Sequence, residues 1–158
     1  MLLLEDGTVK ITDFGLARNL TPAEGRGPGG GTELETCGTP PYMPPEQWAA
    51  AASAREPADI YAFGVLLYEM LTGRRPFEME EDDPRPPELA FRLMHLSEPP
   101  PPPERFSPNL PPELGSLILS CLEKDPSSRP GGFPRIQEKL LGFYRTISGS
   151  DYVPIPFD

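Results

Sequence analysis

The stretch "TVKITDFGLAR" (8–18) puts an acidic side chain, Asp13, where an alternating segment gives way to a loop. Val9 and Ile11 alternate with Thr8, Lys10 and Thr12, the pattern of a half-buried strand. A strand end can hold a carboxylate rigidly towards a cleft. Mg²⁺ takes one or two carboxylates and fills its other positions with water and phosphate oxygens. Phe14 can anchor the turn in a core, and Gly15 lets the backbone reverse. These three residues alone leave two readings open, a metal ligand or an ordinary turn acid.

Other groups capable of chemistry are few. Asp59 opens a long apolar segment and reads as a helix-dipole partner or cap. His95 is the only histidine; on an amphipathic segment without a basic or nucleophilic partner it reads as a surface residue. Cys37 and Cys121 are the only cysteines, which points to reduced thiols; there is no Cys-x-x-Cys or Cys/His cluster for zinc. Thr32 and Thr36 are hydroxyls in a glycine-rich loop.

The elements that must position these groups are mostly helical. Leu2–Leu4, Glu5-Asp6-Gly7 and Thr8–Thr12 read as a β-hairpin, because Asp-Gly tolerates the positive φ of a tight turn. Residues 21–36 hold five glycines and two prolines and form a flexible loop. "PPEQWAAAA" (44–52) predicts a short helix. "ADIYAFGVLLYEMLTG" (58–73) is apolar all round and predicts a buried central helix, ended by Thr72-Gly73. The acidic, proline-broken stretch 78–88 is an exposed loop, and 88–96 an amphipathic helix buried through Leu89, Leu93 and Leu96. Pro99–Pro103 imposes an extended left-handed stretch, read as an interhelical spacer or, less simply, a ligand for an SH3-type partner. Leu114, Leu117, Ile118, Cys121 and Leu122 mark a one-faced helix, and Ile136, Leu140 and Phe143 a last one. The tail, 148–158, is ordered only where it docks. The fold class is mainly α.

The chain has 158 residues, enough for one domain with a core. Its 24 prolines and 15 glycines are clustered, so ordered blocks alternate with irregular loops. A net charge of −10 argues against nucleic acid or an anionic membrane as partner. No apolar run approaches the length of a membrane span. A soluble, cytoplasmic protein is expected.

Four stretches in order, "KITDFGLAR", "GTPPYMPPE", "DIYAFGVLLYEMLTGRRPF" and "CLEKDPSSRP", resemble the C-terminal lobe of eukaryotic-type Ser/Thr protein kinases. The resemblance runs from Met1 to about Tyr144, with 1–147 as a partial kinase domain and 13–46 as its activation segment. It implies a kinase-like lobe and assigns Asp13 to the Mg²⁺ between ATP phosphates, with Phe14 and Gly15 as its structural supports. Leu2 takes the place of the apolar side chain under the adenine. Glu46 and Arg129 match a buried ion pair tying the activation segment to the helical core. Asp59 matches the acid that holds the catalytic loop. Gly38-Thr39 resembles the Ser/Thr-specific substrate loop, so protein Ser/Thr substrates are implied, and Tyr42 is ordinary packing. Thr32 and Thr36 are candidate phosphosites. Glu35 stands where many members carry a phosphothreonine, as a fixed charge or a plain loop acid.

Several kinase parts are missing. The glycines of 25–31 follow the Asp-Phe-Gly rather than precede a lysine strand, so they read as loop and not as a phosphate cradle. There is no Val-Ala-Ile-Lys strand and no His-Arg-Asp base, and the second metal ligand, an Asn, would fall just before Met1. The expectation is a chain that holds no ATP or Mg²⁺ productively, is inactive alone, and exposes apolar surface. A catalytically dead binding or scaffold module, or a truncated nonfunctional product, are the alternatives.

Overall fold

A computed structural model of the chain describes residues 2–3, 9–10, 40–49 and 56–153. The chain divides into two compact units, Met1–Gly38 and Thr39–Asp158. In the first, β1 (Leu2–Leu3) pairs antiparallel with β2 (Val9–Lys10), with Leu2 opposite Lys10 and Leu3 opposite Val9. The expected hairpin is not supported beyond these two-residue strands. Its turn and the rest of Thr8–Thr12 lie outside the described residues, and so few ladder bonds make no independently stable sheet.

The second unit is helical: α1 (Pro45–Ala49), α2 (Glu56–Thr72), α3 (Pro87–Ser97), α4 (Pro112–Cys121) and α5 (Phe133–Ser148). Three 3₁₀ turns, Pro40–Tyr42, Pro103–Arg105 and Pro126–Ser128, punctuate them. Every one of these eight elements has a proline at its first or second position. Proline fixes φ near the helical value and lacks an N–H, which the first turn could not bond anyway. Much of the high proline content therefore starts helices rather than prevents them.

The hub is α2. Ile60, Tyr61, Val65 and Tyr68 are buried against Leu117, Ile118, Cys121 and Leu122 of the α4 segment. Gly64 permits this closeness, since a Cβ there would lie 2.7 Å from the Cβ of Cys121. The helix stops at Gly73, whose φ of +76° suits glycine. It is not buried all round: Met70 is exposed, and Phe63, Leu66 and Leu71 are half-buried. All five apolar positions of the α4 pattern are buried. On α5, Ile136 is buried and Leu140 and Phe143 pack on the core at its edge.

Helix α3 forms where the pattern predicts, but on the other face. Ala90, Phe91, Met94 and His95 are buried, while Leu89 and Leu93 are exposed. Its inner face joins Met43, Trp48 and Phe77 in a second apolar cluster. Of the proline run, Pro103 is buried and begins a 3₁₀ turn, which favours the spacer reading over a free SH3-type ligand. The described part of the tail folds back on α5: Gly149 takes φ +68°, Asp151 pairs with Arg145, and Tyr152 meets Tyr144 edge-on with centroids 5.6 Å apart. Among the described residues no helix is long and apolar enough to cross a membrane.

Candidate functional site

The densest polar site is built around Arg129. The preceding 3₁₀ turn is capped by Asp125, whose carboxylate accepts from the Ser127 amide at 2.8 Å. That turn delivers Arg129 into the helical core, where its side chain is fully closed to water. Nη1 donates to Glu46 Oε1 at 2.7 Å and Nη2 to Glu46 Oε2 at 2.8 Å, a bidentate pair across 83 positions of chain. Nε donates to the Glu123 carbonyl at 2.8 Å, Nη1 also to the Pro57 carbonyl at 2.7 Å, and Nη2 to the Lys124 carbonyl at 3.3 Å. A guanidinium has five N–H donors, and each has a partner here. The cation also stands over the Tyr61 ring, 4.9 Å from its centroid.

This arrangement fastens α1, the start of α2 and the loop after α4 at one point. Taking two charges out of water is costly, so the pair adds little net stability over an apolar replacement. Its value is geometric: planar, two-toothed bonding admits one relative placement of α1 and the Arg129 loop.

A second polar link continues from Tyr61. Its hydroxyl lies 2.8 Å from His95 Nδ1 at the end of α3, with both groups buried. The expectation of a surface histidine is overturned. Burial holds the His95 imidazole well below its ordinary range, to about 4; the nearby Lys124 adds to this and the Pro41 carbonyl opposes it. Among the described residues its Nε2 makes no hydrogen bond of standard geometry, although the Pro41 carbonyl lies near enough to favour the charged ring. Phe77 packs on the ring with centroids 4.9 Å apart, and Lys124 Nζ caps the same phenyl at 4.5 Å while donating to the Met94 carbonyl. Burial lowers Lys124 to about 8. Burial raises the Tyr61 phenol, with Arg129 opposing.

The segment Pro40–Met43 sits beside this network. Tyr42, expected only to pack, also donates to Glu69 Oε2 of α2 at 2.5 Å. Partial burial and then Glu69 raise its phenol. Asp59 stands exposed in the first turn of α2, a position that suits a helix-dipole partner. Partial burial and then Glu56 raise its carboxyl. Between α2 and α5 runs an apolar groove of about 600 Å³, lined by Phe63, Phe133, Leu140, Leu141, Tyr144 and Tyr152 among others.

Of the residues singled out from sequence, Glu46 and Arg129 are brought together and Asp59 lies apart on the surface. Asp13, Phe14, Gly15, Thr32, Glu35, Thr36, Cys37 and Thr39 fall outside the described residues, and of Leu2 only the backbone is described. Among the described residues no group of three or more His, Cys, Asp or Glu side chains is placed to hold a metal. The sequence reading missed Tyr61–His95, Lys124 and Glu69. The only signal for His95 was its spacing from Phe91 and Ala90, which a second apolar stripe on α3 obscured.

Residues 1–141 match the protein kinase domain family. The chain belongs to the protein kinase family. It is 38% identical over 152 residues to the serine/threonine-protein kinase pkn3 of Myxococcus xanthus, covering 95% of this chain and 26% of that protein. It is 36% identical over 154 residues to RAC-beta serine/threonine-protein kinase B of Xenopus laevis, covering 96% and 28%. It is 35% identical over 156 residues to the human RAC-beta serine/threonine-protein kinase, covering 97% and 29%. The chain thus spans a little over a quarter of the length of these relatives.

Proposed function

We propose that this chain is the C-lobe portion of a serine/threonine protein kinase, working in phosphoryl transfer from ATP to protein Ser or Thr only as part of a complete kinase. The observation that carries this reading is the bidentate Glu46–Arg129 pair, which fastens the end of the 13–46 segment to the helical core. In this reading Asp13 is one of the carboxylates that would take Mg²⁺, and Thr39 belongs to the substrate-positioning loop, where its hydroxyl would bond to the catalytic groups of a complete kinase. Mg²⁺ with ATP would supply the phosphoryl group and neutralise its charge. The chain's described residues supply the rigid platform under that reaction.

The same reading makes the isolated chain inactive, in a soluble cytoplasmic setting. Phosphoryl transfer is mostly positioning and charge neutralisation. Among the 158 residues there is no His-Arg-Asp base and no Val-Ala-Ile-Lys lysine. Gly25, Gly27 and Gly30 do have G-x-G-x-x-G spacing, but they follow Asp13 rather than precede a lysine strand, so they do not roof a nucleotide.

Two measurements test this. Incubation with Mg²⁺, labelled ATP and a mixed Ser/Thr protein substrate is expected to give no transfer. Transfer that Asp13→Ala abolishes would overturn inactivity. The coding sequence upstream of Met1 is expected to encode His-Arg-Asp and then an Asn immediately before Met1; an in-frame stop there favours the noncatalytic readings.

A further inference from the structure

Exposed apolar surface is concentrated in one place. Of the eight large apolar side chains that stand exposed among the described residues, five lie on α5 or just after it: Phe133, Tyr144, Ile147, Tyr152 and Val153. Phe133, Tyr144 and Tyr152 line the groove between α2 and α5. At one end Phe133 stands edge-on to Phe63 of α2, with ring centroids 5.6 Å apart. At the other, Tyr152 stands edge-on to Tyr144. Leu140 and Leu141 line the length between.

The chain itself runs into this groove. It reverses at Gly149, where φ is +68°. Asp151 then pairs with Arg145 and Tyr152 meets Tyr144, so each step along the chain moves back along α5 towards Phe133. Val153 is followed by Pro154, Ile155, Pro156, Phe157 and Asp158, which lie outside the described residues. The chemistry of this segment suits the groove. Each proline fixes its own φ and biases the residue before it, Val153 or Ile155, to extended backbone. Neither proline has an N–H to leave unbonded against apolar walls. The reach matches as well. The five residues from Tyr152 to Phe157 span about 16 Å at ~3.1 Å each. The eleven from Tyr144 back to Phe133 also span about 16 Å, at ~1.5 Å each on α5.

We propose that Pro154–Phe157 lies in the α2–α5 groove of its own chain, as an apolar strap anchored by Ile155 and Phe157. The strap covers aromatic surface that otherwise faces water. It is tethered at Val153, beside the mouth of the groove, so its effective concentration there is of order millimolar. At micromolar protein it therefore excludes the same segment of a second copy.

The probe is a fluorescein-labelled peptide of residues 151–158, titrated with the full chain and followed by anisotropy. The tail variant Ile155→Gln/Phe157→Gln frees the groove and is expected to bind the peptide roughly ten-fold tighter than the wild type, whose own strap competes. Adding Phe133→Ser/Tyr144→Ser to the tail variant is expected to abolish that gain. Tyr144→Ser alone, at an exposed position, replaces the pair if circular dichroism shows that the pair unfolds. A peptide carrying Gln in place of Ile155 and Phe157 is expected not to bind. The proposal is overturned if the peptide binds the wild type and the tail variant equally, or binds neither. It is also overturned if the groove substitutions leave binding to the tail variant unchanged. Sedimentation showing a dimeric wild type and a monomeric tail variant overturns it too, since the strap then lies in a second copy. None of these outcomes depends on phosphoryl transfer.

Discussion

The Tyr61 hydroxyl and His95 Nδ1 stand 2.8 Å apart in a position closed to water, joining the middle of α2 to the end of α3. Either partner can donate in this bond, and it is burial that keeps the imidazole neutral. The fold holds His95 at about 4, against an ordinary value of 6.5. The unfolded chain therefore binds a proton that the folded chain refuses between those values. The stability contribution is fully present above pH 6.5 and is lost as pH falls from 6.5 towards 4. At about 1.4 kcal/mol per unit, moving from pH 7.5 to 5 costs roughly 2 kcal/mol through this group. Carboxylates titrate in the same range, so the comparison is with His95→Asn. Urea unfolding at both pH values should show a steeper acid loss in the wild type than in the variant. Equal slopes contradict a buried neutral His95.

Arg129→Ala should cost roughly 3–5 kcal/mol, because it strands the Glu46 carboxylate and three backbone carbonyls. Given the marginal stability of small domains, the variant is expected to be largely unfolded at room temperature. Replacing both partners, as Glu46→Leu with Arg129→Met, should recover a large part of the loss. A thermal melt of Arg129→Ala that overlays the wild type would show that the pair does not close the core.

These two clusters differ in how far the sequence revealed them. Arg129 and Glu46 are legible because each lies in a stretch with a recognisable motif. His95 is not, because α3 has apolar residues on both sides: the Leu89–Leu93–Leu96 spacing is as regular as the buried Ala90–Phe91–Met94–His95 set. Periodicity reports that a helix has an apolar stripe, and tertiary packing decides which stripe is used. For α4, with a single stripe, the same reasoning found Leu114, Leu117, Ile118, Cys121 and Leu122, all buried, and passed over only the buried Gly115. The α2 pattern was read as buried on all sides, yet Met70 faces water, since a continuous apolar run hides which side is open. The residues implied in metal and substrate contact, Asp13 and Thr39 among them, lie outside the described part of the fold.

Burial pushes the Cys121 thiol up to about 11, and its side chain is sealed between α2 and α4. At pH 8 only about one thiol in a thousand is ionised. In a Cys37→Ser background, where Cys121 is the sole cysteine, a thiol reagent should label the folded chain far more slowly than the urea-unfolded chain. The labelling rate then reports how often the α2–α4 seam opens. Rapid labelling without denaturant would mean that the seam is loose.

Two of the helical glycines, Gly64 and Gly142, should respond to alanine with opposite signs. Alanine gains up to about 1 kcal/mol over glycine in a helix interior, by limiting the unfolded chain and favouring the helical backbone. At Gly142 of α5 nothing lies within 4 Å of the added Cβ, so this gain should appear in full as a rise in the melting temperature. At Gly64 the added Cβ would meet Cys121 Cβ at 2.7 Å and Leu122 Cδ2 at 3.2 Å. The Cys121 Cβ is fixed to the α4 backbone, so no side-chain rotation relieves the contact and the two helices must separate. Overpacking of this kind costs about 1–3 kcal/mol. That exceeds the propensity gain, so Gly64→Ala should melt lower than the wild type while Gly142→Ala melts higher. Differential scanning calorimetry of the two variants decides it. If both rise, α2 and α4 are not in the close contact that Gly64 permits.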